Sequence, residues 1–326
     1  MNAAELLDGA LELPVVTSFT RIGYDARRRL AHWRPLDSYD LAGSTVVVTG
    51  ATSGLGLAAA EQFARSGATV VLLGRDAAKT ERVRAELVGR LGRDAFEVVV
   101  ADMGDLEQVR AAAVQLQAAH ASIDVLVHNA GALTADRRVA PSGVEATIAS
   151  QVVGPFVLTS LLLPQLRAAA PGRVLTVSSG GMYAAPLTVE RLQMGDDYNG
   201  TDQYARAKRA QVTLNEMWSL RMPREELVFH AMHPGWADTP GVRESLPTFR
   251  KVVGPLLRTP LQGVDTLVWL GSDDGLPLQR NGRFWLDRHE RSIHKLPTTR
   301  RSDTPERRHR LWDWVVEAGG VDPGFA

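Results

Sequence analysis

Short runs of Val, Leu and Thr alternate along the chain with longer, Ala-rich stretches in which apolar residues recur every three or four positions. The first kind reads as strands buried on both faces and the second as helices that pack one face, so their alternation predicts repeated β-α-β units around a parallel sheet. Strands are expected over 45–49, 69–73, 97–101, 125–128, 173–178 and 228–232, with a last one near 283–286. A helix over 55–66 stops at Gly67, a residue suited to a helix C-terminus. Another, over 105–120, starts on Asp105 as its cap and puts Leu106, Val109, Ala113 and Leu116 on one face. Further helices fit 143–170, bent near Pro155 and Pro164, and 203–222, stopped by Pro223. The expected fold class is α/β: a Rossmann-type, doubly wound, mainly parallel seven-stranded sheet with helices on both faces.

Residues 1–42 complete no such unit and read as an N-terminal extension, with a short amphipathic helix over 5–13 and a basic cluster at 27–29. Residues 43–290 are expected to form a single domain, and 291–326 a tail packed on it through Trp312 and Trp314. The 44% apolar and 23% charged content excludes disorder throughout, and the absence of Cys removes thiol nucleophiles, disulfides and Cys-ligated metals. His230 and His233 stand three apart at a strand end, so they face opposite ways, and no metal site is expected. No apolar run approaches the ~18 residues of a membrane span, and Glu5, Asp8 and Glu12 do not suit a secretory leader, which points to a cytoplasmic protein. Zero net charge argues against nucleic acid as a partner. The charge is uneven, however: Arg291, Lys295, Arg300, Arg301, Arg307, Arg308 and Arg310 face only Asp303 and Glu306, as a solvated face or a weak membrane contact would.

Chemistry enters where the first strand runs into Thr49-Gly50-Ala51-Thr52-Ser53-Gly54-Leu55-Gly56 and then a helix. Glycines at this junction allow a tight turn and close approach of a pyrophosphate to the helix N-terminus, with Gly50, Ser53, Gly54, Leu55 and Gly56 as the cradle. The second strand ends in Gly74-Arg75-Asp76, with no carboxylate at its tip for ribose hydroxyls. Arg75 suits a 2′-phosphate and favours NADP(H), whereas Asp76 would favour NAD(H) if the loop turned by one residue. Asp102, after the third strand, is a candidate for the adenine amino group, and Asn129-Ala130-Gly131 follows the fourth.

Tyr204 and Lys208 lie one helical turn apart. A phenol works as an acid or base near neutral pH only if a cation stabilises its ionised form, and Lys208 is placed to do so. With five Tyr and four Lys among 326 residues, such a pair is expected by chance only ~0.06 times. The other 33 basic residues are Arg, so retention of Lys here suggests a need for a compact ammonium. Ser178 and Ser179, after the fifth strand, place a hydroxyl at the same edge, able to hold a carbonyl oxygen. No G-x-S-x-G elbow surrounds them, which disfavours a hydrolase.

Together, Thr49-Gly50-x-x-x-Gly54-x-Gly56, Asn129-Ala130-Gly131, Ser178-Ser179, Tyr204-x-x-x-Lys208 and Pro234-Gly235-Trp236-Ala237-Asp238-Thr239 resemble the short-chain dehydrogenase/reductase superfamily over residues 42–290. The resemblance implies hydride transfer between a nicotinamide cofactor and a small carbonyl or alcohol substrate. It implies that Ser179 orients the carbonyl, Tyr204 is the acid or base, and Lys208 binds the nicotinamide ribose and lowers the phenol pKa. Asn129 would line the cofactor pocket, with Gly235, Trp236 and Thr239 against the nicotinamide. Gln151 stands where the family often carries an Asn that helps hold a proton-relay water, and its extra methylene leaves open a dinucleotide-binding protein with little catalysis. Tyr204 follows Ser179 by 25 positions, longer than usual, so 184–201 is expected to border the substrate. The apolar stretch 240–260, with Leu246, Phe249, Val252, Val253, Leu256 and Leu257, hints at a lipophilic one. Helices 143–170 and 203–222 are the family's frequent dimer surface, which makes a homo-oligomer an open expectation.

Overall fold

The computed structural model describes residue 8, residues 15–245 and residues 247–324. Along them the chain runs α1 (Val15–Phe19), α2 (Arg21–Leu30), β1 (Thr45–Thr49), α3 (Gly54–Arg65), β2 (Thr69–Gly74), α4 (Ala77–Leu91), β3 (Phe96–Val100), α5 (Leu106–Ala119), β4 (Val125–His128), α6 (Gly154–Ala168), β5 (Gly172–Val177), α7 (Gly200–Ser219), β6 (Leu227–Met232), α8 (Pro260–Ser272), β7 (Arg283–Leu286), β8 (His289–Arg291) and α9 (Pro305–Gly319), with shorter helical turns between. The strands form one sheet in the order β3-β2-β1-β4-β5-β6-β7-β8, parallel as far as β7.

Strands without polar alternation need cover on both faces, and the helices supply it. One core lies beneath α5, α6, α7 and α9 and contains Val109, Leu116, Phe156, Leu158 and Leu214. The opposite core, under α3, α4 and α8, contains Phe63, Leu87, Val268 and Trp285. From β1 the chain moves outward to β3 and then returns to β4 on the other side of β1. Connections leave in opposite directions at this reversal, so the carboxyl ends of β1 and β4 open a crevice suited to a ligand.

Three features differ from the expectations. An eighth strand completes the sheet, because the two residues Asp287 and Arg288, both in the left-handed region (φ 55° and 56°), turn the chain back antiparallel to β7. Such turns usually carry Asn or Gly, so the hairpin left no recognisable signal in the sequence. The helix expected over 143–170 is interrupted: Ala146–Ile148 leads into a widened π turn, Ala149–Val153, before α6. Pro155 then falls in the first turn of α6, where its missing N–H costs little. Finally, Ala146–Ala168 is long and apolar enough to cross a membrane, contrary to the reading that no run approached that length, but 78% of its apolar window is buried inside the protein, as in a core helix.

The C-terminal segment joins the first core. Leu311, Trp312 and Val315 of α9 are buried there, and the Trp312 ring meets Phe156 and Trp218 edge-on, each at 5.1 Å. Part of the α6 and α7 surface implied for dimer formation is thus covered by this chain's own α9. Three of the seven basic residues of this stretch are in ion pairs: Arg308 with Asp303 and Glu216, Arg310 with Glu190, and Arg291 with Asp8. The helix anticipated over 5–13 lies, apart from Asp8, outside the described residues, as do the side chains of Leu246, Phe249 and Val252. If α9 closes the core, Leu311→Ala should lower unfolding stability by about 2–5 kcal/mol. Equilibrium urea unfolding checks this, and an unchanged midpoint would show that the tail adds no stability.

Candidate active site

The glycine turn between β1 and α3 is built for a close approach. Gly50 has φ +67°, and a Cβ on it would lie 2.9 Å from Cα of Ala130. At Gly56 a side chain would overlap the Gly50 carbonyl and the Asn129 amide. Ser53 takes the N-cap position of α3 but makes no side-chain capping bond, so its hydroxyl leaves the first N–H groups of the helix available to an anion. Leu55 turns away to pack at Gly263 of α8, while Thr239 lies over Gly54.

Asn129 ties this turn to β4. Its side-chain amide donates to the Thr49 and Gly50 carbonyls at 3.0 and 3.3 Å. The Thr49 hydroxyl donates to Val127 O and accepts the Asn129 and Ala130 N–H groups. Asn129 therefore braces the floor of the crevice, a more structural position than the resemblance implied. Gly131 has no room for a side chain because Gln151 fills it: a Cβ would stand 2.9 Å from the Gln151 amide. Asp102 accepts the Gly104 N–H at 2.8 Å, within the turn that starts α5.

At the tip of β2 the structure separates the two cofactor candidates. The Asp76 carboxylate caps α4, accepting the Lys79 N–H at 2.8 Å. Arg75 next to it is exposed. Gly74 is glycine for packing, since a Cβ would overlap the Thr80 hydroxyl.

The candidate reacting groups, from the end of β5 and from α7, come together at one edge of the sheet. Ser179 is hydrogen-bonded to Tyr204, and its oxygen accepts the Gly181 N–H at 3.3 Å. Ser178 is turned inward, its hydroxyl donating to the Lys208 carbonyl at 3.3 Å. Lys208 is buried, with its ammonium 5.2 Å from the centre of the Tyr204 ring and donating to Val177 O at 3.0 Å. Burial pushes the Tyr204 phenol above its ordinary value, and the Ser179 hydrogen bond works in the other direction. Burial also pushes Lys208 down to about 7. The ammonium is thus only partly charged near neutral pH.

Gln151 lies within the π turn and is fully buried. Its amide donates to Ala132 O at 2.8 Å, and its main-chain carbonyl accepts from Gln211, one turn beyond Lys208, at 2.6 Å. Sequence reasoning did not single out Gln211, whose partner follows only from the widened helix. The segment 184–201 is anchored rather than free: Leu187 N–H donates to Ser302, while Arg209 holds the Met182 and Ala185 carbonyls. His230 bridges Trp285 and the Pro277 carbonyl; His233 is buried against Gly180 with neither ring nitrogen partnered, and no metal-binding group of acidic or His residues occurs among the described residues.

Comparison with known proteins adds family evidence. Residues 44–248 match the family described as short chain dehydrogenase. The chain is 36% identical over 295 residues to human dehydrogenase/reductase SDR family member 12, covering 90% of this chain and 91% of that protein. It is 30% identical to human retinol dehydrogenase 11, over 90% of this chain and 92% of the relative. Among solved structures, an uncharacterised protein from Mycobacterium paratuberculosis superposes with a TM-score of 0.71 at 26% identity, covering 90% of this chain and 99% of the other.

The buried lysine predicts a pH dependence for the ligand-free protein. Its folded pKa, about 7, lies below the unfolded value of 10.5, so the penalty for burying the cation is complete below about pH 7 and is relieved as pH rises towards 10.5. Lys208→Met should therefore gain less stability than the parent between pH 7 and 9.5. Urea midpoints at the two pH values measure the difference, and equal gains would contradict a buried, titrating ammonium.

Proposed function

The chain belongs to the short-chain dehydrogenase/reductase family, and on that basis we propose that it is an NADP(H)-dependent oxidoreductase interconverting a lipophilic carbonyl compound and its alcohol. The convergence of Ser179, Tyr204 and Lys208 at the edge of a glycine-lined crevice is the observation that carries this reading.

The residues present fit a dinucleotide. The uncapped α3 N-terminus and the turn at Gly50, Gly54 and Gly56 suit a pyrophosphate, and a Cβ at Gly50 or Gly56 would push the turn off Ala130 and Asn129. Arg75 is free to meet a 2′-phosphate, whereas Asp76 is engaged as a helix cap, which favours NADP(H) over NAD(H). Asp102 stands at the adenine side, Asn129 and Gly131 line the floor, and Gly235, Trp236 and Thr239 close the nicotinamide end. When bound, the cofactor supplies or accepts the hydride.

Each protein group then has a role that its surroundings explain. Ser179 donates a hydrogen bond to the substrate oxygen, where negative charge develops. Tyr204 delivers the proton in reduction and removes it in oxidation. When protonated, Lys208 uses one of its three N–H donors on Val177 O, leaving two for ribose hydroxyls beside the phenol. A phenol held above its ordinary pKa is protonated at neutral pH, the form that reduction requires. The lipophilic class is supported by the name of one relative, a retinol dehydrogenase.

Tyr204→Phe should lose about 10²- to 10⁴-fold in turnover while binding NADPH within about twofold of the parent. A panel of aldehydes, ketones and retinoids followed by NADPH consumption checks this, and near-normal turnover would refute the assignment. Arg75→Glu should move the NADPH-to-NADH preference by at least about tenfold, equivalent to about 1.4 kcal/mol. Ratios of kcat/KM for the two cofactors measure it, and an unmoved ratio would remove Arg75 from the site. A second reading, dinucleotide binding with weak catalysis, draws on one observation: the Gln151 carbonyl is held by Gln211 instead of facing the Lys208 side unobstructed. NADPH binding without turnover on the whole panel would favour it.

A further inference from the structure

The N-terminal extension is not a separate appendage. Between α1 and α2 the chain breaks at Thr20, whose extended backbone (φ −86°, ψ 175°) turns it from one helix into the next. Gly23 makes the fold-back possible, because a Cβ there would overlap the Thr17 carbonyl. Three successive carbonyls are thereby presented on one side. Ser18 O accepts from Arg27 and Arg258 at 3.1 and 3.0 Å, Phe19 O accepts the Trp236 N–H at 2.7 Å, and Thr20 O accepts from Arg258 at 3.2 Å.

The loop on the receiving side is the one assigned above to the nicotinamide. Its other edge is bonded too: Trp236 O accepts the Arg258 N–H at 2.8 Å, and the Asp238 N–H reaches Arg258 O at 2.9 Å. The loop is therefore clipped between residues 18–20 and Arg258. Gly235, at φ +70°, is packed against the Arg258 guanidinium, where no Cβ would fit. Arg258 is in turn bonded through both terminal nitrogens to Asp287, at 2.6 and 2.9 Å, and Arg27 reaches the same carboxylate at 2.7 Å.

The Phe19 side chain joins the two halves of the site. It meets His233 edge-on at 4.4 Å and Trp236 at 5.8 Å, and its ring edge would lie 3.1 Å from a Cβ at Gly180, the neighbour of Ser179. We propose that Phe19 is a positioning residue: with its carbonyl on Trp236 and its ring packed against both Gly180 and His233, it sets the spacing between the serine turn and the nicotinamide loop. The extension is then a working wall of the site. This rests on the dinucleotide reading above and predicts an effect confined to the nicotinamide half of the ligand.

The test compares NADPH with 2′,5′-ADP, which carries the adenosine half alone. In Phe19→Ala, affinity for 2′,5′-ADP should stay within about twofold, while the advantage of NADPH over 2′,5′-ADP falls about tenfold. Phe19→Leu should recover part of it. A folded Phe19→Ala protein with an unchanged ratio would overturn the proposal. A second measurement uses the parent protein: NADPH, but not 2′,5′-ADP, should slow amide hydrogen exchange in residues 17–24 together with 234–239. Slowing in 234–239 alone would also overturn it. Binding of neither ligand would defeat the dinucleotide reading itself, and this proposal with it.

Discussion

One buried carboxylate holds the catalytic edge of this molecule together. Asp287 is 1% exposed and faces two guanidinium groups, Arg27 from the extension and Arg258 from the segment before α8. Burial opposes its charge, but Arg258 and then Arg27 hold it below the ordinary carboxylate range. Pairs of this kind are costly to break from one side, by about 3–5 kcal/mol, because the remaining partner is left buried and uncompensated. The same contact explains how a turn with two non-glycine residues in the left-handed region persists. Asp287 is held by the two arginines, and Arg288 by a bidentate contact to Asp265 at 2.7 and 3.2 Å.

The anchoring has consequences at both ends of the chain. The last hairpin of the sheet, the helices over 15–30 and the loop after β6 become one unit, so the described segment from Ser18 to Arg27 packs at the edge where the candidate site lies. At the other terminus, α9 inserts Trp312 beside Phe156 and Trp218. A surface that the family often uses between subunits is here partly occupied within the chain. Three cations of the basic tail, Arg291, Arg308 and Arg310, are likewise paired within the chain.

Most of the candidate site could be read along the chain because its chemistry depends on local spacing. A turn with Gly50, Gly54 and Gly56 after an apolar strand, and a Tyr and a Lys one helical turn apart, are properties of adjacent residues. The choice between Arg75 and Asp76 was weighted towards Arg75 but left open, since either could meet a ribose. It was narrowed only when the Asp76 carboxylate was found capping α4. Gln151 was read as a lengthened Asn, but the π turn and the Gln211 contact depend on how two helices meet. The Lys208 shift also arises from burial, which no motif reports.

The order of elements, the parallel sheet, the family and the candidate reacting residues were determined by the sequence itself. Those features follow from the period of apolar positions and from short-range spacing, both written along the chain. Tertiary structure alone decided that Phe19, Arg27, Arg258 and Asp287 act together, although as many as 260 positions separate Arg27 from Asp287. A buried charge finds its partner through the fold rather than through neighbouring residues, so such a contact leaves no periodic trace to read.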